Sequence, residues 1–124
     1  MDEEAAGKVI LDSAYKVHTA LGPGLLESAY ESCLSHELAK HVVVVRQILL
    51  PIEYDGTRID AGYRVDLLVA GRVVVELKAV ERLTDVHMAQ ILSYLRLGGF
   101  KLGYLLNFNV RSMKDGVKRI VNGM

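Results

Sequence analysis

Charged residues interrupt two strongly apolar segments in the middle of the chain. Asp66 lies within the run Arg-Val-Asp-Leu-Leu-Val, and Glu76 and Lys78 lie within the valine-rich run that begins at Val73. Charges inside segments this apolar cost free energy to desolvate unless they are paired or bound to a metal ion. Residues two apart in a strand project from the same face, so we expect Glu76 and Lys78 to share one face of a strand.

The length of the turn between these two segments decides whether Asp66 joins Glu76. A two-residue loop would place Asp66 opposite Val75, with its side chain on the other face of the sheet. A three-residue loop would place Asp66 directly opposite Glu76, with the Cα atoms about 4.5–5.5 Å apart. Gly71 can adopt the left-handed backbone that such a loop often needs. The sequence leaves both loops open, and convergence of the two carboxylates requires the three-residue loop.

Two carboxylates at that distance repel each other, and a divalent cation between them would make the arrangement favourable. Oxygen ligands without thiolate or imidazole favour Mg²⁺ or Mn²⁺ over zinc. Such an ion could polarise a phosphoryl oxygen and activate water, while Lys78 orients that water or stabilises the developing negative charge. This is the chemistry of phosphodiester hydrolysis. The structural alternative is a buried ion pair between Glu76 and Lys78, with Asp66 solvated at a strand end.

The elements that must position these residues are predicted in the order α-α-β-β-β-α-β. Apolar residues at helical spacing predict helices, and segments rich in β-branched residues predict strands. The predicted elements are helices from Glu3 to about Ala20, from about Leu25 to Ala39 and from Thr84 to Gly98, and strands at about Val42–Tyr54, Ile59–Val69, Val73–Ala79 and Lys101–Phe108.

The predicted connections indicate a mixed sheet covered by helices. Asp55 and Gly56 form a hairpin signal, and Pro51 predicts a bulge or an unpaired position in the first strand. The helix before the last strand is long enough to be a right-handed crossover between two parallel strands. Residues 114–124 could form a short helix or an edge strand, and the sequence leaves this open.

The composition predicts one domain, residues 1–124, of a cytoplasmic protein. The 124 residues carry 15 Lys and Arg against 15 Asp and Glu, with 51% hydrophobic residues and one cysteine, Cys33. No apolar run reaches the roughly 20 residues that span a bilayer, and the N-terminal segment is acidic where a secretory signal would be basic. Zero net charge means that any binding to nucleic acid must rest on local charge.

The motif residues resemble those of a known superfamily. Asp66, nine intervening residues and then Glu76-Leu77-Lys78 are similar to the D-x(n)-(D/E)-x-K signature of the PD-(D/E)XK nuclease superfamily, whose core is α-β-β-β-α-β. The resemblance implies an α/β (α+β) restriction-endonuclease-like fold, in which the first helix is an addition. Val65 stands where the signature has a proline.

A second and more specific resemblance covers nearly the whole chain. The segment HTALGPGLLESAY, residues 18–30, is similar to the GxxExxY protein family through Gly24, Glu27 and Tyr30. That family is itself assigned to the PD-(D/E)XK nuclease superfamily by similarity. Further similarity lies in Arg46-Gln47, Tyr54-Asp-Gly, Tyr63-Arg-Val-Asp-Leu-Leu, Val75-Glu-Leu-Lys-Ala, Asn107-Phe-Asn-Val and Lys114-Asp-Gly.

The resemblance implies a Mg²⁺- or Mn²⁺-dependent nuclease acting on DNA or RNA. It implies that Lys78 is the catalytic lysine and that four groups hold the metal: the carboxylates of Asp66, Glu76 and Glu27, and the backbone carbonyl of Leu77. The alternative for Glu27 is an acidic residue favoured in the first turn of a helix by the helix dipole.

Four further residues are interpreted as contacting substrate or supporting the site. Gln90 and Tyr94 resemble the Q-x-x-x-Y motif of RecB-type nucleases and share a helix face, and His87 lies three residues before Gln90 on nearly the same face. Tyr30 belongs to the GxxExxY motif. The alternatives are that the tyrosines are core residues with hydrogen-bonded hydroxyls and that His87 is an ordinary helix residue.

The functional alternative is a catalytically inactive binding or assembly module of the same fold, for example a homodimer. The intact acidic set and Lys78 favour the enzyme, whereas the small size and zero net charge favour the module. A nucleic acid is the expected partner, and no membrane association is expected. Local positive charge could come from Arg46, Arg64, Arg82 and Arg96.

Overall fold

The computed structural model describes residues 1–124, which form three α-helices, five strands and a short 3₁₀ helix. The helices are α1 (Glu3–Leu21), α2 (Glu27–Ala39) and α3 (Asp85–Gly98), and the 3₁₀ helix is Met113–Gly116. The strands are β1 (Val44–Tyr54), β2 (Thr57–Val69), β3 (Val73–Lys78), β4 (Leu102–Asn107) and β5 (Val117–Val121). The predicted element order and the α+β class are confirmed, with β5 added at the end.

The five strands form one mixed sheet in chain order, β1-β2-β3-β4-β5. β1, β2 and β3 are an antiparallel meander, and β4 runs parallel to β3 because α3 carries the chain back across the sheet. β5 pairs antiparallel with β4 at the sheet edge, which settles the open interpretation of the last residues as an edge strand.

Two turn predictions in the first hairpin are also confirmed. Asp55 and Gly56 both have positive φ, 52° and 72°, as the two central residues of a type I′ turn require. The pairing of β1 with β2 shifts register between Leu50 and Ile52, on either side of Pro51. Pro51 is therefore the unpaired position in β1, and the extra residues of the bulge, 60–62, lie in β2. The missing backbone N–H of Pro51 costs the ladder least there.

Helices cover both faces of the sheet. One core of 17 buried residues lies under α1 and α2 and includes Tyr30, Leu77 and Phe108. A second core of seven buried residues lies under α3 and includes Val74 and Tyr94. Because both faces are covered, β4 is buried along its whole length, as expected of a central strand next to a parallel neighbour.

The helix ends follow local sequence. The Asp2 side chain accepts a hydrogen bond from the Ala5 amide at 2.8 Å and caps α1, and Gly22 ends that helix with a φ of 66°.

None of the three helices combines the length and apolar character that crossing a bilayer requires.

Gly116 and Gly103 provide a matched test of this packing. A Cβ on Gly116 would overlap the backbone carbonyl of Asn107, whereas a Cβ on Gly103 would meet the flexible ends of Ile91 and Leu95 at 3.0 and 3.1 Å and the Val74 carbonyl oxygen at 3.3 Å. We expect Gly116→Ala to lower the free energy of unfolding by about 3 kcal/mol and Gly103→Ala by about 1 kcal/mol, because the tightest contacts at Gly103 are side-chain ends that relax more easily than backbone. Urea denaturation measures both, and equal losses would contradict the prediction.

Candidate active site

The turn between β2 and β3 has the register on which convergence of the acidic residues depends. Val69 pairs with Val73, and Leu67 pairs with Val75. This is the pairing of the three-residue loop, and Ala70 and Gly71 within it both adopt positive φ, 55° and 66°. The register therefore places Asp66 opposite Glu76.

The carboxylates of Asp66 and Glu76 each accept a hydrogen bond from a backbone amide of the neighbouring strand. The backbone ladder between β2 and β3 ends at Leu67 and Val75. Beyond it, the Asp66 amide donates to Oε2 of Glu76 at 2.7 Å, and the Leu77 amide donates to Oδ2 of Asp66 at 2.9 Å. Each carboxylate thus takes the place of a backbone acceptor, and the two side chains are held side by side.

Burial shifts the protonation of this pair. Glu76 is only 4% exposed, and its burial, reinforced by the charge of Asp66, raises the pKa of Glu76 to about 8. Burial also raises the pKa of Asp66, although the hydrogen bond from the Leu77 amide opposes this. Because the two carboxyl groups are coupled, they hold one proton between them near neutral pH when no cation is bound to the pair.

Lys78 and Glu27 lie within electrostatic range of the pair. Lys78 is the last residue of β3, and its Nζ lies 3.5 Å from Oε1 of Gln90 on α3. Glu27 is the first residue of α2, where partial burial raises the pKa of its carboxyl, the charge of Lys78 lowers it and the charge of Asp66 raises it. The structure therefore brings Glu27, Asp66, Glu76 and Lys78 into one neighbourhood.

The donor set fits a hard cation through two carboxylates rather than three. No group of three or more His, Cys, Asp or Glu side chains is arranged to hold a metal ion, so Glu27 does not complete a chelating trio with Asp66 and Glu76. Mg²⁺ commonly binds proteins through one or two carboxylates and takes its remaining ligands from water and substrate phosphate. Leu77 contributes its amide to Asp66, and the role of its carbonyl stays a prediction.

A family model described as the PD-(D/E)XK nuclease superfamily matches residues 4–120. The chain belongs to this superfamily. No significant match was found among curated proteins or among solved structures. PD-(D/E)XK nucleases generally use divalent metals, in agreement with the oxygen-only character of the carboxylate pair. The five-stranded mixed sheet with three helices is consistent with the restriction-endonuclease-like fold of the superfamily.

Glu31 is a buried acidic residue beside the candidate site, and the sequence analysis gave it no role. It lies one turn after Glu27 on α2 and is 9% exposed. Oε2 accepts hydrogen bonds from Nε and Nη2 of Arg46 at 3.2 and 2.9 Å, and Oε1 accepts one from the Gln47 side chain at 2.8 Å. Its charge raises the pKa of both Asp66 and Glu27. The available signal was its spacing of four residues from Glu27.

The pairing of Arg46 with Glu31 changes the interpretation of Arg46. From the sequence, Arg46 was one of four arginines that could supply local positive charge, and in the structure its guanidinium pairs with the buried Glu31 carboxylate. Its neighbour Gln47 has a φ of 54°, a left-handed conformation that costs a residue other than glycine about 1–3 kcal/mol. The flanking pairs of β1 with β2 place Gln47 opposite Asp66, so this strain lies directly beside the acidic pair.

Asn107 is a second residue to which the sequence analysis assigned no role, although it belongs to one of the segments that resemble the GxxExxY family. It pairs with Lys78 at the end of β4 and is almost fully buried. Its Oδ1 accepts from the amides of Val80 and Asn109 at 3.1 and 3.2 Å, and its Nδ2 donates to the Val80 carbonyl at 2.9 Å. Asn107 therefore fixes the backbone just after Lys78. The available signal was a polar residue ending an otherwise apolar strand.

Of the remaining predicted residues, Tyr30 and His87 stabilise local structure, and Tyr94 lies near the acidic pair. The Tyr30 hydroxyl donates to the Gly22 carbonyl at 2.6 Å and its ring stacks on Phe108, which is a supporting role within the core. Nδ1 of His87 accepts a hydrogen bond from the Thr84 amide at 3.0 Å and caps α3. Burial and the charges of Glu76 and Asp66 raise the pKa of Tyr94, so its hydroxyl lies within electrostatic range of the acidic pair.

The raised pKa of Glu76 predicts a pH-dependent stability in the metal-free protein. The folded-state pKa, about 8, exceeds the unfolded value of 4.5, so the folded state favours the protonated carboxyl. This contribution is complete below about pH 4.5 and is lost as the pH rises through about 8. Glu76→Gln stays neutral at every pH, and we expect it to be about 2–4 kcal/mol more stable than wild type at pH 9 and similar at pH 4.

Urea denaturation in EDTA across this pH range measures the difference. Glu53→Gln is the matched control, because Glu53 lies exposed on β1 and forms no ion pair. A stability difference between Glu76→Gln and wild type that does not change with pH would contradict the prediction.

Removal of Arg46 tests whether Glu31 is held as a charged group. Arg46→Leu leaves the Glu31 carboxylate buried without its countercharge, and we expect a loss of about 2 kcal/mol, below the full cost of a buried pair because Arg46 is itself half-exposed. Adding Glu31→Gln should restore part of this loss. Arg58→Leu is the control, since its pair with Asp60 is exposed on both sides and contributes little. A double variant less stable than Arg46→Leu would refute this account.

Proposed function

We propose that the chain is a nuclease that hydrolyses phosphodiester bonds of DNA or RNA with Mg²⁺ or Mn²⁺. The observation that carries the proposal is the pair of cross-strand hydrogen bonds, from the Asp66 amide to Glu76 and from the Leu77 amide to Asp66, that holds the two carboxylates side by side, with Lys78 two residues further along β3. Membership of the PD-(D/E)XK nuclease superfamily supports it. Asp66 and Glu76 would hold the cation, which when bound supplies Lewis-acid polarisation of the scissile phosphate.

The side chains of this chain have separate roles in the proposed reaction. The Lys78 ammonium orients the attacking water or stabilises the negative charge that develops on the phosphoryl oxygens. Gln90 positions Lys78 through the contact of its Oε1 with Nζ. Asn107 holds the chain after Lys78, and this limits the directions in which the ammonium can point. Glu27 forms no chelating trio with Asp66 and Glu76 in this structure, and its predicted role as a metal ligand rests only on its place in the motif.

We also assign the chain to the GxxExxY branch of the superfamily, and the contacts around the motif support this. Gly24 has a φ of 104°, which favours glycine. The Tyr30 hydroxyl donates to the Gly22 carbonyl and accepts from the Leu25 amide at 3.1 Å, on either side of Gly24. The glycine and tyrosine therefore fix the turn that delivers Glu27 to the start of α2. Gly24 and Tyr30 thus shape the turn before α2, and Glu27 is the residue that this turn positions.

The second candidate is a binding or assembly module of the same fold without catalytic activity, as a homodimer or with another partner. The observation that favours it is that no three metal-binding side chains converge. In either case we propose that residues 1–124 act as one domain in the cytoplasm, a location supported by the single cysteine, which rules out an intramolecular disulfide.

Cleavage of labelled single- and double-stranded DNA and RNA tests the nuclease. We expect Mg²⁺-dependent cleavage that Lys78→Met and Asp66→Asn each reduce at least about 100-fold, the usual cost of removing a group that stabilises transition-state charge. Lys101→Met is the control, because Lys101 is exposed and precedes β4 at the opposite end of the sheet from Lys78.

Metal binding gives a readout that does not depend on activity. Mg²⁺ should raise the melting temperature of wild type and leave that of Asp66→Asn unchanged. Equal cleavage by wild type and both variants would assign the activity to contamination. Absence of both cleavage and calorimetric Mg²⁺ binding would favour the module instead.

A further inference from the structure

A cleft of about 550 Å³ opens next to the candidate active site, between the β1–β2 hairpin and α3. Its walls include Ile52 from β1, Tyr63 from β2, and Gln90, Tyr94 and Arg96 from α3. The cleft is large enough for a planar ring system, and none of the roles described above uses the hairpin side of it.

The cleft is continuous with the catalytic groups. Gln90, one of its lining residues, lies 3.5 Å from the Lys78 ammonium. Tyr94, another lining residue, lies close enough to Glu76 and Asp66 for their charges to act on its hydroxyl. A molecule bound at the acidic pair would therefore extend into the cleft past α3.

The lining suits a flat, apolar group with polar edges. Tyr63 lines the cleft and is 43% exposed, so part of its ring is accessible to a ligand. The mostly buried Tyr94 also lines the cleft, with the two ring centroids 6.1 Å apart and the rings inclined at 53°. Ile52 supplies an apolar wall, and Gln90 supplies hydrogen-bonding groups at the catalytic end. Nucleobases combine a stackable face with hydrogen-bonding edges.

Positive charge lies at the end of the cleft away from the carboxylates. Arg96 lines the cleft and makes no ion pair in the structure. Arg96 follows Gln90 by six positions on α3, which is about 9 Å along the helix axis. An adjoining cavity beyond the cleft is lined by Arg96, by Glu53 and by Arg58, which pairs with Asp60. A phosphate that flanks a base in the cleft would meet the Arg96 guanidinium.

We propose that this cleft binds an unpaired nucleobase, stacked on Tyr63, and that the substrate of the site is a single-stranded nucleic acid. The inference rests on the proposed nuclease function and names its substrate class. A base inside a duplex is stacked on both faces and cannot enter such a cleft unless it leaves the helix, whereas every base of a single strand is free to stack on an aromatic side chain.

Binding to fluorescent 12-nucleotide DNA strands in the Asp66→Asn background tests the cleft without cleavage. We expect Tyr63→Leu to weaken binding of the single strand about 5- to 100-fold and Tyr63→Phe to leave it nearly unchanged, because phenylalanine keeps the stacking face. Tyr54→Leu is the matched control, since Tyr54 is a 70% exposed tyrosine of the same hairpin that does not line the cleft. Melting temperatures verify that each variant is folded.

A scan of single abasic sites along the strand isolates the stacked base. In the protein that keeps Tyr63, an abasic site at one position should weaken binding of the strand. In Tyr63→Leu, the same abasic site should leave the affinity unchanged. Equal binding by Tyr63→Leu and Tyr63→Phe, an abasic effect of the same size in both, or tighter binding of duplex than of single strand would overturn the inference.

The same measurements separate this inference from the nuclease proposal. If wild type cleaves nucleic acid and Tyr63→Leu binds single strands as tightly as Tyr63→Phe, the cleft inference fails and the nuclease stands. If wild type cleaves nothing and the Tyr63-dependent abasic effect is present, the nuclease fails and the cleft is confirmed as a base-binding site.

Discussion

The site depends on two hydrogen bonds between β2 and β3, from the Asp66 amide to the Glu76 carboxylate and from the Leu77 amide to the Asp66 carboxylate. Two backbone amides that would otherwise belong to a sheet ladder donate to carboxylates instead, so the acidic pair is part of the pairing between β2 and β3. Buried carboxyl groups are tolerated only where their hydrogen bonds are satisfied, and no buried side-chain polar atom in the structure lacks a partner. The sheet and the site are therefore built by the same contacts.

The surrounding residues make this acidic pair compatible with a stable fold. Glu31 adds a further negative charge beside Asp66, and Arg46 neutralises it, so the site made by Glu27, Glu31, Asp66, Glu76, Lys78 and Arg46 has a formal charge of −2 when all six groups are ionised. One divalent cation would balance that charge. The left-handed backbone of Gln47 beside Asp66 is a strained feature of the kind that collects at functional sites. Its cost is offset by the hydrogen bond that Gln47 makes with Glu31.

Local pattern predicted the element order and the three motif residues, because periodicity and charges within apolar strands are properties of short segments. It could not choose the loop length at Gly71, which depends on whether Ala70 accepts a left-handed conformation. The edge strand β5 was undecided for a related reason, since five residues carry too little periodicity. Glu31 and Asn107 escaped prediction because their partners, Arg46 and Val80, lie 15 and 27 residues away in sequence. A buried polar residue is explained only by the partner that the fold brings to it.

A chain with zero net charge could bind nucleic acid through the cleft lined by Tyr63 if base stacking, rather than many phosphate contacts, supplied the affinity. A duplex binder relies on many phosphate contacts and on release of counterions, and in this chain Arg46 pairs with Glu31. Base stacking on an aromatic side chain requires no net charge. A substrate held at one end by the cation of the acidic pair, in the middle by Tyr63 and at the other end by Arg96 needs only one phosphate-binding arginine close to the cleft. Such a surface would select strands with unpaired bases, because a duplex would satisfy the charges and leave the aromatic cleft empty.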